Sequence, residues 1–336
     1  MKKFIGKVLI FLVFNLALIV ALSVIIDPFN VFHYKNIRNY GVEPNKNYIK
    51  TKYIINNPNK YNGFLFGSSR VGSVHVDKIK DRHLYNMVYS AGTPQEHLKT
   101  LRTFLDEGVS MDIVYMGVDS SSYTEDPSRH INQPLRCPYQ YLAGNPIKFT
   151  ELYVSISLVT ESIEYLGREM HAYDVFYDYG WWFDYDVSTS YDWSQVTPLI
   201  GEVDRLEETL REIQEVKDIC AERDIELIIF TNPMFEVTYE ASVERDYLEF
   251  LDRLADITDY YNFSGINDIT VNTENFIDNS HYNAYVGDMI IDAIVNNSVD
   301  EGLYNQGFGW YVTSENVGAL LALPEMNGAS RITGPQ

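Results

Sequence analysis

Short apolar runs alternate with amphipathic stretches through much of this chain. Four runs have the length of buried strands, and they occupy residues 62–67, 84–89, 112–117 and 225–231. Apolar residues recur every three or four positions near 94–107, near 203–223 and again after His281, which predicts helices there. Strands that alternate with such helices predict βαβ units, and therefore an α/β fold with a mostly parallel sheet covered on both faces.

The longest apolar stretch lies at the N-terminus. Residues 8–26 contain only Asn15 and Ser23 as strongly polar side chains, and at about 1.5 Å per residue they can cross a hydrocarbon core of about 30 Å. Three lysines precede the stretch, so the positive-inside rule predicts a cytoplasmic N-terminus and an extracytoplasmic remainder. The alternative is a cleaved signal peptide, but no small-residue cleavage site ends the run. We therefore expect residues 1–26 to be an uncleaved anchor of a single-pass membrane protein.

The rest of the chain divides by composition. Residues 27–60 are rich in Asn, Lys and Tyr without a clear period, and they predict a juxtamembrane stalk. The alternating strands and helices predict one domain over 61–300, which is interrupted at 120–200 by a segment with one predicted helix at about 150–166. We expect this segment to be an insertion over the sheet edge, and we expect the tail 301–336 to be peripheral.

Charge and composition exclude some classes of function. The sequence has 26 Lys and Arg against 47 Asp and Glu, which gives a formal net charge of −21. A phosphate backbone needs the opposite charge, so we expect no nucleic-acid partner. Cys137 and Cys220 both lie on the predicted outer side, where a disulfide is permitted, but the apolar helical position of Cys220 favours a buried free thiol. No Cys or His spacing indicates a metal site.

Ser69 is the candidate nucleophile, because it lies on a turn directly after a predicted buried strand. Parallel α/β sheets place their functional groups on such loops. A serine hydroxyl needs a neighbouring base, and Asp278 and His281 occur three residues apart at the start of a predicted helix. The carboxylate can fix the imidazole tautomer and leave the second ring nitrogen free for Ser69. The alternatives are structural, with Ser69 and Asp278 as turn or cap residues and His281 bonded to Asp278 alone.

These motifs resemble two blocks of the SGNH (GDSL-like) hydrolase superfamily. The segment Gly67-Ser68-Ser69 looks like the first block, Gly-Asp-Ser, with a serine in place of the aspartate. Asp278 and His281 match the last block, Asp-x-x-His. The resemblance covers roughly residues 60–300, with the insertion unmatched, and it implies a flavodoxin-like, three-layer fold with a Ser-His-Asp triad.

The middle blocks of the superfamily fit less closely. Gly92 is similar to the oxyanion glycine of the second block, so the resemblance implies that the amides of Ser69 and Gly92 donate to an oxyanion. The third block usually reads Gly-x-Asn-Asp, whereas this chain has Asp119 in place of the oxyanion asparagine. An ionised carboxylate beside a developing oxyanion raises the barrier. Asp119 therefore points elsewhere, or is protonated in use, or the backbone amides suffice without it.

Other residues are weaker candidates. Arg70 is expected to be exposed or ion-paired, although it can also hold a carboxylate or phosphate of a polymer, and Asn232 follows the fourth predicted strand. Tyr177, Trp181 and Trp182 lie in a run of aromatic and acidic residues that can stack on sugar rings. The alternative is that these rings pack the insertion onto the sheet, although exposed tryptophan pairs are unusual without a ligand.

Within the superfamily, the Gly-Ser-Ser form with an N-terminal anchor looks most like the D-alanyl transfer proteins of teichoic-acid operons and the alginate-type O-acetylation proteins. The resemblance implies an extracytoplasmic, serine-dependent O-acyltransferase or acylesterase without a cofactor. Its substrate would be a cell-envelope polysaccharide or wall polymer, and a membrane-bound O-acyltransferase would be its partner. The alternative is a non-catalytic envelope module that binds polymer or scaffolds an acyltransferase. The sequence leaves open the acyl group and the balance between transfer and hydrolysis.

Overall fold

The computed structural model describes residues 1–34, 38–39, 42–164, 171–172, 176, 178–185 and 191–327. These residues cluster into two compact units. We call the described residues of 1–53 and 128–174 the anchor unit, and those of 54–127 and 175–336 the sheet unit. Tyr177 lies outside the described residues.

The secondary structure follows the predicted alternation in the sheet unit. The helices are α1 Lys2–Ile26, α2 Lys46–Ile55, α3 Pro94–Asp106, α4 Ser121–Thr124, α5 Pro127–His130, α6 Tyr139–Leu142, α7 Pro146–Tyr153, α8 Ile156–Ile163, α9 Leu206–Glu222, α10 Glu236–Val243, α11 Tyr247–Ile257, α12 Ala284–Asn296, α13 Glu301–Asn305, α14 Val317–Leu321 and α15 Pro324–Asn327. The strands are β1 Arg38–Asn39, β2 Gly63–Phe66, β3 Leu84–Asn86, β4 Ile113–Val118, β5 His171–Ala172, β6 Glu226–Thr231, β7 Tyr260–Asn262 and β8 Trp310–Val312.

The anchor unit is built around the N-terminal helix. α1 is 25 residues long, and its buried residues are Ser23 and Ile26. It is long and apolar enough to cross a membrane. α8 packs against it, and β1 pairs antiparallel with β5.

The predicted stalk is helical over part of its length. Lys46–Ile55 forms α2, in which Lys46, Ile49 and Lys50 are buried. Burial lowers the pKa of Lys46 to about 7. Because lysines occupy positions on the buried face of α2, apolar residues do not recur every three or four positions there. The sequence therefore does not predict this helix.

The sheet unit contains a six-stranded sheet in the order β3-β2-β4-β6-β7-β8. Neighbours from β3 to β7 are parallel, and β8 pairs antiparallel with β7. The prediction of an α/β fold with a mostly parallel sheet is confirmed. If the five parallel strands are renumbered by their position in the sequence, their order across the sheet is 2-1-3-4-5. In sheets with this order, ligands bind at the carboxyl ends of strands 1 and 3, on either side of which the chain winds in opposite directions. In this protein the first strand is β2, which leads to Ser69.

Helices cover both faces of the sheet. On one face α3 and α9 pack together, and Phe64 of β2 lies 5.0 Å from Phe104 of α3 between ring centroids. On the other face Leu65 of β2 belongs to a buried cluster with Val286 and Ile290 of α12. Successive strand residues point to opposite faces, so the all-apolar β2 is buried between two helical layers.

The predicted domain boundary at residue 300 is wrong, because the tail supplies the sixth strand. β8 lies on the sheet edge, and Val312, Leu320 and Met326 are fully buried. The hydroxyl of Tyr239 donates to the carbonyl of Met326 at 2.8 Å. The sheet unit thus extends at least to residue 327. β7 and β8 span only three residues each, too few for a recognisable apolar run.

The predicted insertion at 120–200 is not one piece. Its described residues within 128–174 belong to the anchor unit, and those of 120–127, 176, 178–185 and 191–200 belong to the sheet unit. The single helix predicted at 150–166 is two helices, α7 and α8. Ser155 separates them, since its side chain accepts a hydrogen bond from the amide of Leu158 and so starts α8.

Both cysteines are buried and free. Cys137 lies in the anchor unit, whereas Cys220 lies on α9 in the sheet unit. Burial raises the pKa of Cys220 to about 11, which keeps its thiol protonated. The expectation of a buried free thiol at Cys220 is therefore confirmed.

Candidate active site

Ser69 opens a tight turn at the end of β2. Ser69–Ser73 forms a 3-10 turn, and the side chain of Ser68 caps it by accepting a backbone amide hydrogen. Gly67 permits the turn, since a Cβ there would lie 2.5 Å from Cγ1 of Val71. Ser69 itself is partly exposed, while Ser68 is buried. The turn thus presents the Ser69 hydroxyl at the carboxyl edge of the sheet.

Asp278 and His281 lie on a loop that closes on itself. Phe276 and Tyr282 form an antiparallel bridge at its base. Within the loop, Oδ1 of Asp278 accepts hydrogen bonds from the amides of Ser280 at 2.8 Å and His281 at 2.9 Å. An aspartate that accepts from the backbone two residues later builds an Asx turn. The Asp-x-x-His spacing therefore forms the turn that holds its own two side chains.

The structure brings the three predicted triad residues together. Nε2 of His281 lies 2.8 Å from Oγ of Ser69, and Nδ1 lies 2.9 Å from both carboxylate oxygens of Asp278. This geometry places the ring proton on Nδ1, which donates to Asp278, and leaves Nε2 to accept the Ser69 proton. Burial alone would raise the pKa of Asp278, but hydrogen bonds from His281 and the loop amides outweigh it and lower the pKa. Asp278 thus stays ionised and orients the imidazole.

Arg70 and Asp119 form a buried ion pair next to the triad. Their side chains are only 2% and 1% exposed, and Nη1 of Arg70 donates to Oδ1 of Asp119. Nε of Arg70 also donates to the carbonyl of Ser280 at 3.3 Å, within the triad loop. Arg70 therefore ties the ends of β2 and β4 to that loop. Of the two expectations for Arg70, the ion pair is confirmed and the exposed position is wrong, and its burial also contradicts a role in binding a polymer anion.

Asp119 is held by further hydrogen bonds. Its Oδ1 accepts from the amide of Ser121 at 2.8 Å, and its Oδ2 accepts from Nδ2 of Asn232 at 2.8 Å. Oδ1 of Asn232 accepts from the hydroxyl of Tyr282 at 3.2 Å, and burial raises the pKa of Tyr282 well above its usual value, which keeps that hydroxyl protonated. The carboxylate is therefore directed towards Arg70 and Asn232. Asn232 supports Asp119, and its amide is already engaged.

Gly92 passes close to the end of β2. A Cβ at Gly92 would lie 2.7 Å from the carbonyl oxygen of Gly67 and 2.8 Å from Cε1 of His97. Ala91 before it has a left-handed φ of 55°, which turns the chain into this approach. Within the described residues, the amide of Ser69 donates no hydrogen bond. The Ser69 amide is thus not engaged, and Gly92 lies beside Gly67, which directly follows β2.

Trp182 and Phe183 line one side of His281. Their rings stack with 5.0 Å between centroids, and the Phe183 ring lies 5.0 Å from the imidazole while that of Trp182 lies at 6.5 Å. Both backbone amides donate to the carbonyl of Gly72, at 2.8 and 3.0 Å, which fixes the pair against the Ser69 turn. Both side chains are partly exposed. They form an aromatic wall beside the imidazole of His281.

The other aromatic candidates have different positions. Trp181 stacks on His75 with 4.1 Å between ring centroids, so it packs this segment onto the sheet unit. Nothing in the sequence distinguishes Phe183 as a site residue, although it directly follows the two tryptophans. Only the fold places it beside an imidazole about one hundred residues later in the chain.

Among the described residues, no group of three or more His, Cys, Asp or Glu could hold a metal ion.

Comparisons with known proteins identify no relative of this chain. No family model matches the chain, and no curated protein or solved structure is significantly similar to it. The geometry of the site and the motif resemblance are therefore the observations that bear on function.

Proposed function

We propose that this protein is a serine-dependent O-acyltransferase or acylesterase of the SGNH type. The observation that supports it is the continuous hydrogen-bonded path from Oγ of Ser69 through His281 to Asp278. In the first half-reaction Ser69 attacks the acyl carbonyl carbon while Nε2 of His281 takes the hydroxyl proton. The amides of Ser69 and Gly92 receive the oxyanion. When the ester bond breaks, His281 returns the proton to the leaving alkoxide, and the acyl group remains on Ser69.

The second half-reaction releases the acyl group. His281 takes a proton from an acceptor hydroxyl, the acceptor oxygen attacks the acyl-enzyme, and Ser69 leaves with the proton. A sugar hydroxyl gives transfer, and water gives hydrolysis. The oxyanion asparagine of the resembled family is replaced by Asp119, and loss of one donor costs about 10² to 10³ in rate. We therefore expect a slow enzyme that works on an abundant or tethered substrate.

The aromatic wall supports a carbohydrate as acyl acceptor. Stacked, partly exposed rings beside a catalytic imidazole offer a flat apolar face to the C–H face of a sugar ring. α1 would confine the reaction to the membrane surface, and its flanking lysines favour the extracytoplasmic side. The substrate of this proposal is a cell-envelope polysaccharide or wall polymer, with a membrane-bound O-acyltransferase as partner.

Trp182→Ala is expected to raise KM for a polysaccharide acceptor about two- to tenfold, because an aromatic contact contributes about 0.5–1.5 kcal/mol beyond burial. kcat should change little, since the indole does not touch the reacting atoms. Steady-state transfer kinetics measure both constants. Trp310→Ala is the matched control, because that indole packs on Tyr304 at the sheet edge. An unchanged KM for Trp182→Ala would contradict the proposed stacking.

The biological test measures O-acyl groups on envelope polysaccharide. Cells lacking the protein are expected to lose O-acyl content, and wild-type protein is expected to restore it. Ser69→Ala should reach the membrane at the same level without restoring acylation, because the acyl-enzyme cannot form. Restoration by Ser69→Ala would refute the enzyme and favour a scaffold that assists an acyltransferase.

A further inference from the structure

The anchor unit carries an apolar surface that the proposed reaction does not use. On α8, Ile156 and Ile163 are 67% and 54% exposed. They lie on one stripe of the helix with exposed Thr160, at intervals of four and three residues. Leu158 and Val159 are buried on the other side. α8 is thus apolar on two sides, which is typical of a helix in contact with lipid or fully buried in protein.

The burial pattern of α1 indicates where α8 lies against it. The two helices pack against each other. In the C-terminal half of α1 the side chains of Asn15, Ile19, Leu22 and Val24 are partly covered, and those of Ser23 and Ile26 are buried. All of these positions except Val24 share one face of the helix, which indicates that α8 lies against that half. From Ile19 to Ile26 the helix rises about 10 Å, close to the length of α8.

If α1 spans the membrane, the part of α1 next to α8 lies within the hydrocarbon core. Residues 8–26 are just long enough for a hydrocarbon core of about 30 Å, so the last turns of α1 occupy its outer third. Ile25, in those turns, is 69% exposed. The exposed isoleucines of α8 therefore continue the apolar surface that α1 itself presents. On α8 the exposed Ser157, Glu161 and Glu164 form a separate polar stripe.

We propose that α8 is partly inserted in the membrane beside α1. Ile156, Thr160 and Ile163 contact lipid acyl chains, while Glu161 and Glu164 remain in water at the boundary. Lipid is the occupant because α8 packs against α1, whose own exposed side chains are apolar over most of its length. The inference rests on α1 spanning the membrane and is independent of the acyl-transfer chemistry. A second contact with lipid restrains the tilt of the anchor unit, which a single helix would leave free.

Site-directed spin labels test the insertion in the full-length chain reconstituted in phospholipid nanodiscs. A label on Ile163→Cys is expected to collide several-fold more with oxygen, relative to a water-soluble nickel chelate, than a label on Glu161→Cys. Oxygen concentrates in hydrocarbon, whereas the chelate stays in water. Leu12→Cys in α1 is the control for the spanning helix. The native cysteines are buried, so unmutated protein should take up no label.

Each other outcome overturns the proposal in a distinguishable way. If the labels at positions 163 and 161 both collided mainly with the nickel chelate, while the label at position 12 collided mainly with oxygen, α8 would lie in water. A label at position 163 shielded from both reagents would indicate a second copy of the chain as the occupant. A water-accessible label at position 12 would remove the spanning helix itself, without bearing on the triad.

Discussion

Ser69→Ala is expected to abolish covalent labelling by a fluorophosphonate and to lower turnover of an activated ester by roughly 10³-fold or more. The hydroxyl oxygen is the atom that bonds to phosphorus or to the acyl carbon, and nothing replaces it in alanine. Nε2 of His281, now 2.8 Å from that oxygen, would lose its proton donor. Intact-protein mass spectrometry measures the adduct, and release of the chromogenic alcohol measures turnover.

Ser68→Ala is the matched control for the nucleophile. Its hydroxyl caps the same turn by accepting the amide of Arg70 at 3.4 Å, and it has no part in the path to His281. Loss of a cap costs about 1 kcal/mol of stability, but labelling at Ser69 should persist. Equal labelling of Ser69→Ala and wild type would refute the nucleophile. Loss of labelling in both variants would show that the turn, and not one hydroxyl, governs the reaction with the probe.

The parts of the site that could be predicted from sequence are those with local causes. Ser69 follows an apolar run that ends in glycine, and such a run is recognisable wherever it occurs. Asp278 accepts hydrogen bonds from the amides of Ser280 and His281, two and three residues later, so its geometry relative to His281 is encoded within four residues. Four strands were recognisable for a similar reason, because each is an apolar run bounded by turn residues.

The rest of the site depends on contacts between distant segments. Arg70 and Asp119 are 49 residues apart, and neither has a local feature that marks it as half of a buried pair. Phe183 reaches His281 only because its backbone is bonded to Gly72. Burial, more than residue type, defines these roles. Arginine is rarely buried unless it is paired, so the sequence predicts that Arg70 is exposed or ion-paired. The sequence does not identify Asp119 as its partner.

The Arg70–Asp119 pair also accounts for the departure from the resembled family. A free carboxylate after β4 would oppose a developing oxyanion. Here Arg70 compensates the charge of that carboxylate, and hydrogen bonds from Arg70 and Asn232 hold its two oxygens. The same arginine holds the carbonyl of Ser280, so one ion pair both neutralises Asp119 and braces the triad loop. In the proposed mechanism, the amides of Ser69 and Gly92 then remain as the expected oxyanion donors.

Arg70→Met is expected to lower the free energy of unfolding by about 3–5 kcal/mol, because it leaves the carboxylate of Asp119 buried without its cation. Asp119→Asn should be similarly costly, since it strands the buried guanidinium. The double variant should recover much of the loss, because buried pairs replaced together by neutral groups are often close to neutral in stability. Denaturant unfolding of the full chain in detergent, followed by tryptophan fluorescence, measures all three values.

Arg253 provides the matched exposed pair for this comparison. It bonds both carboxylate oxygens of Glu207, but their side chains are 34% and 63% exposed. Water solvates either partner when the other is removed, so Arg253→Met should cost less than about 1 kcal/mol. If Arg70→Met proved no more damaging than Arg253→Met, the buried pair would not brace the loop. The loss of unfolding free energy in the double variant could instead equal the sum of the losses in the two single variants. That result would show that Arg70 and Asp119 do not stabilise each other, and the ion pair would then not explain why a carboxylate lies beside Ser69 and His281.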